Sequence, residues 1–316
     1  MGNTMLAVTE TSNLQAVERP RPTPGPGEVL IRVDFAGMNP VDLGQLDGKY
    51  PAPEGASDIL GVEVSGRRVD NGDRVMALVT SGAYGQYVAV PENMVMLVPD
   101  GLSQEQAAAV PESLATAWSN LVDALRVQPG ETVLIQGGSG SLGSFAIQLA
   151  RELGATVLAT AGGSERCARV EELGAFAVDH RGDDIVARVK ERAENGVDAV
   201  MNIMGSDVGE MLKVLNRRGR MCVISLQGGT RSDVPVGLLM VKHLSLIGTT
   251  LRSRSDEEKS AIVRAAAEFA LPRLNDGSIV PIVARVFPLS RVAEAVEYLK
   301  GGSPFGKVIL DMREQA

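Results

Sequence analysis

Gly138-Ser-Gly-Ser-Leu-Gly143 is the stretch whose residue types and spacing point most directly to chemistry. Its G-x-G-x-x-G order follows the strand-like run 131–136 and opens a helical pattern, the context of a loop that cradles a dinucleotide pyrophosphate. In such a loop Gly138 and Gly140 serve the tight turn and the close approach of backbone to phosphate. Gly143 lets the helix lie close on the strand. Ser139, Ser141 and Leu142 fill the remaining positions, and the helix start supplies N–H groups and partial positive charge. The competing reading of the same glycines is a plain strand–helix turn.

The next strand-like run ends at Thr160-Ala-Gly-Gly163. A site selective for NADH usually has Asp or Glu there to accept from the ribose 2′-hydroxyl. None is present, and Gly163 is followed by Ser164 and Arg166, a hydroxyl and a cation that suit a 2′-phosphate, so the expected cofactor is NADPH. Glu165 competes as the ribose acid, Ser164 as a helix N-cap, and Arg166 as a solvated side chain. His180, ending the following strand, borders the same pocket or is a loop histidine. Leu226, Gln227, Gly228 and Gly229 follow a later strand at its C-terminal end, where open α/β sheets bind cofactors.

Other chemistries are poorly supplied. The chain has two cysteines, Cys167 and Cys222, and two histidines, His180 and His243. They form no metal-binding motif, so no metal is expected, and a disulfide framework is equally excluded. Cys167 reads as structural. A net charge of −8 with one Trp, four Tyr and six Phe argues against nucleic acid as a partner. No apolar run is long enough to span a membrane and no signal peptide precedes Leu6, so a reducing cytoplasm is the expected compartment.

The elements that must position these residues fall into three stretches. Residues 1–118 read as β-rich, with strands at 28–34, 73–79, 84–90 and 94–98 between Pro/Gly and Asn71-Gly72 turn signals. Residues 119–256 alternate strand and helix: strands at 131–136, 155–160, 175–178, 197–203, 220–226 and 244–249, helices at 141–153, 164–173, 183–193 and 207–215. That alternation requires a doubly wound parallel sheet covered on both faces. Residues 257–316 carry helices at 257–271 and 290–299 and strands at 280–286 and 307–310, and are expected to rejoin the first stretch. The fold class is therefore α/β, a Rossmann sheet plus a β-rich domain.

Gly37-Met-Asn-Pro-Val-Asp42, 55–66, 72–78, 107–112, 136–143, 249–254 and 305–310 occur in an order that resembles the medium-chain dehydrogenase/reductases, in their zinc-free quinone oxidoreductase branch. Within that branch the chain resembles the tumour-suppressor-inducible type. The resemblance implies a GroES-like catalytic domain made from both chain ends, NADPH between it and the Rossmann domain, and a homodimer pairing through the strand at 244–249. Zinc-dependent relatives carry Cys near Asn39 and His at Val62, and neither is present. Between Gly66 and Gly72 the family's longer segment is missing, which puts the substrate mouth in doubt.

Matching positions give candidate roles. Asn39 corresponds to a family asparagine near nicotinamide and substrate, where an amide would meet the oxygen that gains charge; it is equally an Asn before Pro40 in a turn. Tyr50 corresponds to a cleft-mouth tyrosine that would position a quinone oxygen, or it packs on Pro51. Asp42 reads as a loop cap. Thr116, Leu251 and Ser253 match cofactor contacts, and Phe305 and Lys307 lie in a motif that approaches the cofactor, although Lys307 also reads as a solvated strand residue. The implied activity is metal-free hydride transfer from NADPH to a quinone. Reduction of an enone or enoyl thioester is the alternative on the same fold, and an NADPH-binding regulatory protein with little turnover is a third.

Overall fold

The structure, a computed structural model, describes residues 3–301 and 304–313. The chain divides into two compact units, Met1–Ala115 with Arg252–Ala316, and Thr116–Leu251. In chain order the first stretch holds β1 (Thr4–Ala7), β2 (Val17–Pro20), β3 (Glu28–Gly37), α1 (Pro40–Leu46), β4 (Glu63–Arg68), β5 (Arg74–Leu78), β6 (Tyr87–Pro91), β7 (Val95–Leu97), α2 (Gln104–Ala107) and α3 (Pro111–Trp118). The middle holds β8 (Thr132–Gln136), α4 (Ser141–Glu152), β9 (Thr156–Ala161), α5 (Ser164–Glu172), β10 (Phe176–Asp179), α6 (Ile185–Arg192), β11 (Val197–Asn202), α7 (Val208–Lys213), β12 (Leu215–Val223), α8 (Val236–Lys242) and β13 (Ser245–Gly248). The last holds α9 (Asp256–Asp276), β14 (Val283–Pro288), α10 (Val292–Lys300) and β15 (Lys307–Asp311).

In the second unit the strands run parallel in the order β10-β9-β8-β11-β12-β13. This is the doubly wound order, two halves running outward from β8. The central strands are buried Val, Leu, Ile and Ala runs, as a sheet covered on both faces requires. Because the pairing is parallel, the strand ends at 136, 161, 179, 202 and 223 share one edge of the sheet.

In the first unit the sheet order is β14-β15-β3-β4-β5-β7, and β6 also pairs with β3. The closing strand β15 lies antiparallel to β3, with Ile309 opposite Gly37. The last stretch therefore does rejoin the first. β4 and β5 are joined by the short 69–73 turn, closed by a bond from Arg68 N–H to the Asp73 carbonyl at 3.0 Å.

Several expected boundaries shift for identifiable reasons. The strand expected at 84–90 starts at Tyr87, because Tyr84 sits in a turn with its ring fully buried. Asn39-Pro40, read as a turn, opens helix α1 with Pro40 in its first turn, where a missing N–H costs nothing. The strand expected at 220–226 spans Leu215–Val223, and Ser225 leaves the sheet by donating to the Ile203 carbonyl at 2.6 Å. The helix expected to stop at 271 continues through Pro272 to Asp276, ended by Gly277 in the left-handed region. The strand at 280–286 starts later, at Val283. β1, β2 and α8 carried too little periodicity to be expected.

Candidate functional site

The second unit presents a backbone cradle. The loop after β8 is tied to the end of β9, where Gly137 N–H donates to Thr160 Oγ1 at 3.0 Å and Gly138 N–H to the Thr160 carbonyl at 2.8 Å. Gly140 is the N-cap of α4 and has no side chain to occupy the first-turn N–H groups; Ser141 and Leu142 begin the helix, and Ser139 is buried below it. A Cβ on Gly143 would lie 2.0 Å from the Gly137 carbonyl oxygen, so only glycine permits this approach. Gln136, at the end of β8, has its Oε1 buried without a hydrogen-bond partner. A bare helix start and a closely packed glycine fit a dinucleotide phosphate group.

Gly163, at φ 86°, caps α5, so Ser164 is the first helical residue and not the cap. Ser164 is exposed and Arg166 half-buried. His180 is exposed, and its ring, with Arg181 Nε, lies about 3.0 Å from where a Cβ on Gly162 would stand. Arg181 escaped the sequence reading; its signal was its place just beyond the third strand. Asp179 was also missed. Its Oδ1 accepts from Gly163 N–H at 2.9 Å and Arg181 N–H at 3.0 Å, and these bonds hold the carboxyl below its usual range. An acid therefore faces this loop from β10, already engaged by backbone.

Leu226 stands 65% exposed beyond β12, and Gly228 N–H donates to the Met204 carbonyl at 2.8 Å, joining the loops after β11 and β12. Thr116 is half-buried, and its carbonyl accepts from Asn120 Nδ2 at 2.8 Å where α3 passes into a π-helical turn. Asn120 Oδ1 accepts from Thr249 Oγ1 at 2.6 Å, two residues before buried Leu251. Ser253, exposed, belongs to the first unit.

The first unit contains a buried charged knot. Lys307 Nζ meets Glu63 Oε1 and donates to Asn39 Oδ1 at 2.6 Å. Asn39 Nδ2 donates to Glu63 Oε1 at 2.8 Å, and Glu63 Oε2 accepts from Glu112 N–H at 3.0 Å. Glu63 is 0% and Lys307 1% exposed, which rules out the solvated reading of Lys307. The second Asn39 amide hydrogen reaches the Gly37 carbonyl at 3.4 Å, a weak contact. Glu63 had no functional role in the sequence reading, although an acid between Val62 and Val64 is itself a signal. Phe305 is buried at the start of the same segment.

Asp42 lies beside this knot. Its Oδ2 accepts from Asn39 N–H and from the Tyr84 hydroxyl, both at 2.7 Å, while Oδ1 is buried without a partner. Burial pushes its pKa up to about 6, against the pull of those two bonds and of Lys307. Burial likewise carries the Tyr84 phenol well above its usual range. Tyr50 is 39% exposed, with the Arg252 guanidinium carbon 5.8 Å from its ring centroid. A recess of about 780 Å³ in this unit is lined by Asp58, Thr80, Tyr87, Arg252 and Lys259 among others; Asn39 and Tyr50 are not in its wall. Among the described residues no group of three or more His, Cys, Asp or Glu is placed to hold a metal ion.

Two family models match the chain: the alcohol dehydrogenase GroES-like domain over residues 25–100, and the zinc-binding dehydrogenase over residues 141–267. Human quinone oxidoreductase is 33% identical over 309 residues, covering 92% of this chain and 90% of its own. Mouse quinone oxidoreductase-like protein 2 is 31% identical, covering 93% and 87%. The solved quinone oxidoreductase of Thermus thermophilus, studied also in complex with NADPH, superposes with a TM-score of 0.83 at 33% identity, covering 97% of this chain and 99% of that one. The chain belongs to the medium-chain dehydrogenase/reductase family and is quinone oxidoreductase-like. Fold, family and site chemistry make it an oxidoreductase with a nicotinamide-dinucleotide-binding Rossmann unit. No helix among the described residues is long and apolar enough to cross a membrane.

Proposed function

We propose that this protein is an NADPH-dependent quinone oxidoreductase that works without a metal. The observation that carries the reading is the composition of the first unit's knot. That unit has neither His nor Cys, and a lysine ammonium occupies the Glu63 carboxylate that borders Asn39. When bound, NADPH supplies the hydride. The protein's share is to bind and orient: Gly138, Gly140 and Gly143 admit the pyrophosphate, Ser164, Arg166 and Arg181 face the 2′-phosphate, and Asn39 and Tyr50 set the acceptor's oxygen. The human and Thermus relatives support a quinone as acceptor. Two copies pair through β13, an edge strand whose Leu246 is exposed, beside exposed Val236, Met240 and Val241 of α8.

The test is oxidation of NADPH and NADH against ortho-quinones, para-quinones, enones and enoyl thioesters, before and after exhaustive chelation. Quinones are expected to turn over with NADPH, unaffected by chelation. Arg166→Ala and Arg181→Ala are each expected to weaken NADPH by about ten-fold and leave NADH nearly unchanged, the value of one charge-assisted hydrogen bond. Stoichiometric zinc with activity lost on its removal, or turnover confined to enoyl thioesters, rejects the reading.

A further inference from the structure

We propose that Arg252, beside Tyr50, also receives the acceptor's oxygen as it gains negative charge, a role that rests on the quinone reading above. The guanidinium is fixed on one side only. Nε and Nη2 donate to the Thr80 carbonyl at 3.2 and 3.1 Å, and Nη2 also donates to Gln45 Oε1 at 2.5 Å. Gln45 is held in turn, its Nε2 donating to Glu10 Oε1 at 2.6 Å. Nη1 is buried and has no hydrogen-bond partner among the described residues.

Neighbouring cations of the same unit are neutralised. Lys307 meets Glu63, Lys259 meets Asp256 at 3.0 Å, and Arg19 meets Asp58 at 3.5 Å. No such ion pair closes on Arg252 among the described residues; Asp42, Glu112 and Glu10 act on it only through space. A half-buried charge with an unused N–H corner is costly, and such groups persist where a ligand uses them.

The Tyr50 ring has its centroid 5.8 Å from the guanidinium carbon, and the residue is 39% exposed. Hydride addition turns a neutral quinone into a hydroquinone monoanion, and one proton from solvent completes the hydroquinone. The oxygen of that monoanion is the charge that Nη1 meets. A donor already fixed by Thr80 and Gln45 needs no reorganisation at that moment, which is how a fixed dipole or charge lowers a barrier.

The probe is p-nitrophenol, whose phenolate absorbs at longer wavelength than its phenol, so that binding of the anion is read without turnover. Wild-type protein is expected to hold the bound probe as phenolate at a pH where the free probe is still largely protonated. Arg252→Met is expected to lose that shift. It is also expected to lower quinone kcat/KM by about ten- to a hundred-fold, mostly in kcat, with NADPH affinity by fluorescence unchanged. Arg252→Lys should recover part of both. A phenolate shift unchanged in Arg252→Met, no shift in the wild type, or a loss of NADPH affinity that accounts for the lost activity overturns the assignment. If Arg252→Met does not fold by circular dichroism, Arg252→Lys decides: a weakened shift supports the role and an undiminished one removes it. Failure of the quinone reading looks different, a wild-type protein that shifts the probe but oxidises no NADPH with any quinone.

Discussion

The nucleotide cradle of the second unit and the charged knot of the first solve the same problem with different materials. The cradle is made of backbone. Its N–H groups, its bare N-cap and the absent Cβ of Gly143 are fixed by a few consecutive residues. The knot is made of five side chains from four elements or turns, at positions 39, 42, 63, 84 and 307, with the ammonium of Lys307 and the carboxylate of Glu63 buried against each other. A backbone site tolerates side-chain change but not added bulk. A side-chain site tolerates bulk poorly and unmatched charge worse.

That contrast can be broken deliberately. The largest effect is expected at Gly143→Val, whose side chain must displace the backbone of Gly137. NADPH binding measured by fluorescence should vanish, while denaturation of the first unit, followed by Tyr signals, should be little changed. Lys307→Met comes next. It leaves Glu63 as an uncompensated buried charge and is expected to cost about 3–5 kcal/mol in urea denaturation. Lys307→Met with Glu63→Leu should regain most of that loss; a double variant no better than the single would show that the knot is not an ion pair in energetic terms.

The smallest effect sharpens the comparison through pH. The carboxyl of Asp42 goes from its ordinary 3.8 to about 6 in the fold. The folded protein therefore holds that proton more tightly than the unfolded chain. Its contribution to stability is complete below about pH 4 and is lost as pH rises through about 6. Asp42→Asn, which keeps an oxygen for the Tyr84 hydroxyl, should flatten that part of the stability–pH curve. An equally steep curve in the variant would assign the slope to another group.

The same contrast explains what the sequence disclosed. The Rossmann alternation and the G-x-G-x-x-G loop were legible because strand, turn and helix are contiguous and each has its own period. Asn39, Tyr50 and Lys307 were singled out only through their resemblance to family positions. Nothing local in Gly37-Met-Asn39 says that its amide will meet an ammonium 268 residues later. Glu63, Tyr84 and Arg252 were passed over for the same reason: their partners lie 244, 42 and 172 residues away. Arg181 and Asp179 were missed for a smaller reason. Residues that discriminate NADH from NADPH usually follow the second strand, and here the third strand also delivers side chains to that loop.

The antiparallel pairing of β15 with β3 has a consequence for how the protein is made. The Rossmann unit is one uninterrupted segment whose strands find partners nearby in the chain, so it can complete itself while synthesis continues. The other unit has to wait. β3 leaves the ribosome early and is paired by β4 and β6, but the Phe35–Gly37 part of its edge stays unclaimed and Glu63 without its cation until the residues around Lys307 emerge. Closing so long a loop is slow, and an open strand edge is a template for the wrong neighbour during that interval. Nascent chains halted before β15 should therefore protect the nucleotide cradle from protease and leave β3 and β4 open to it.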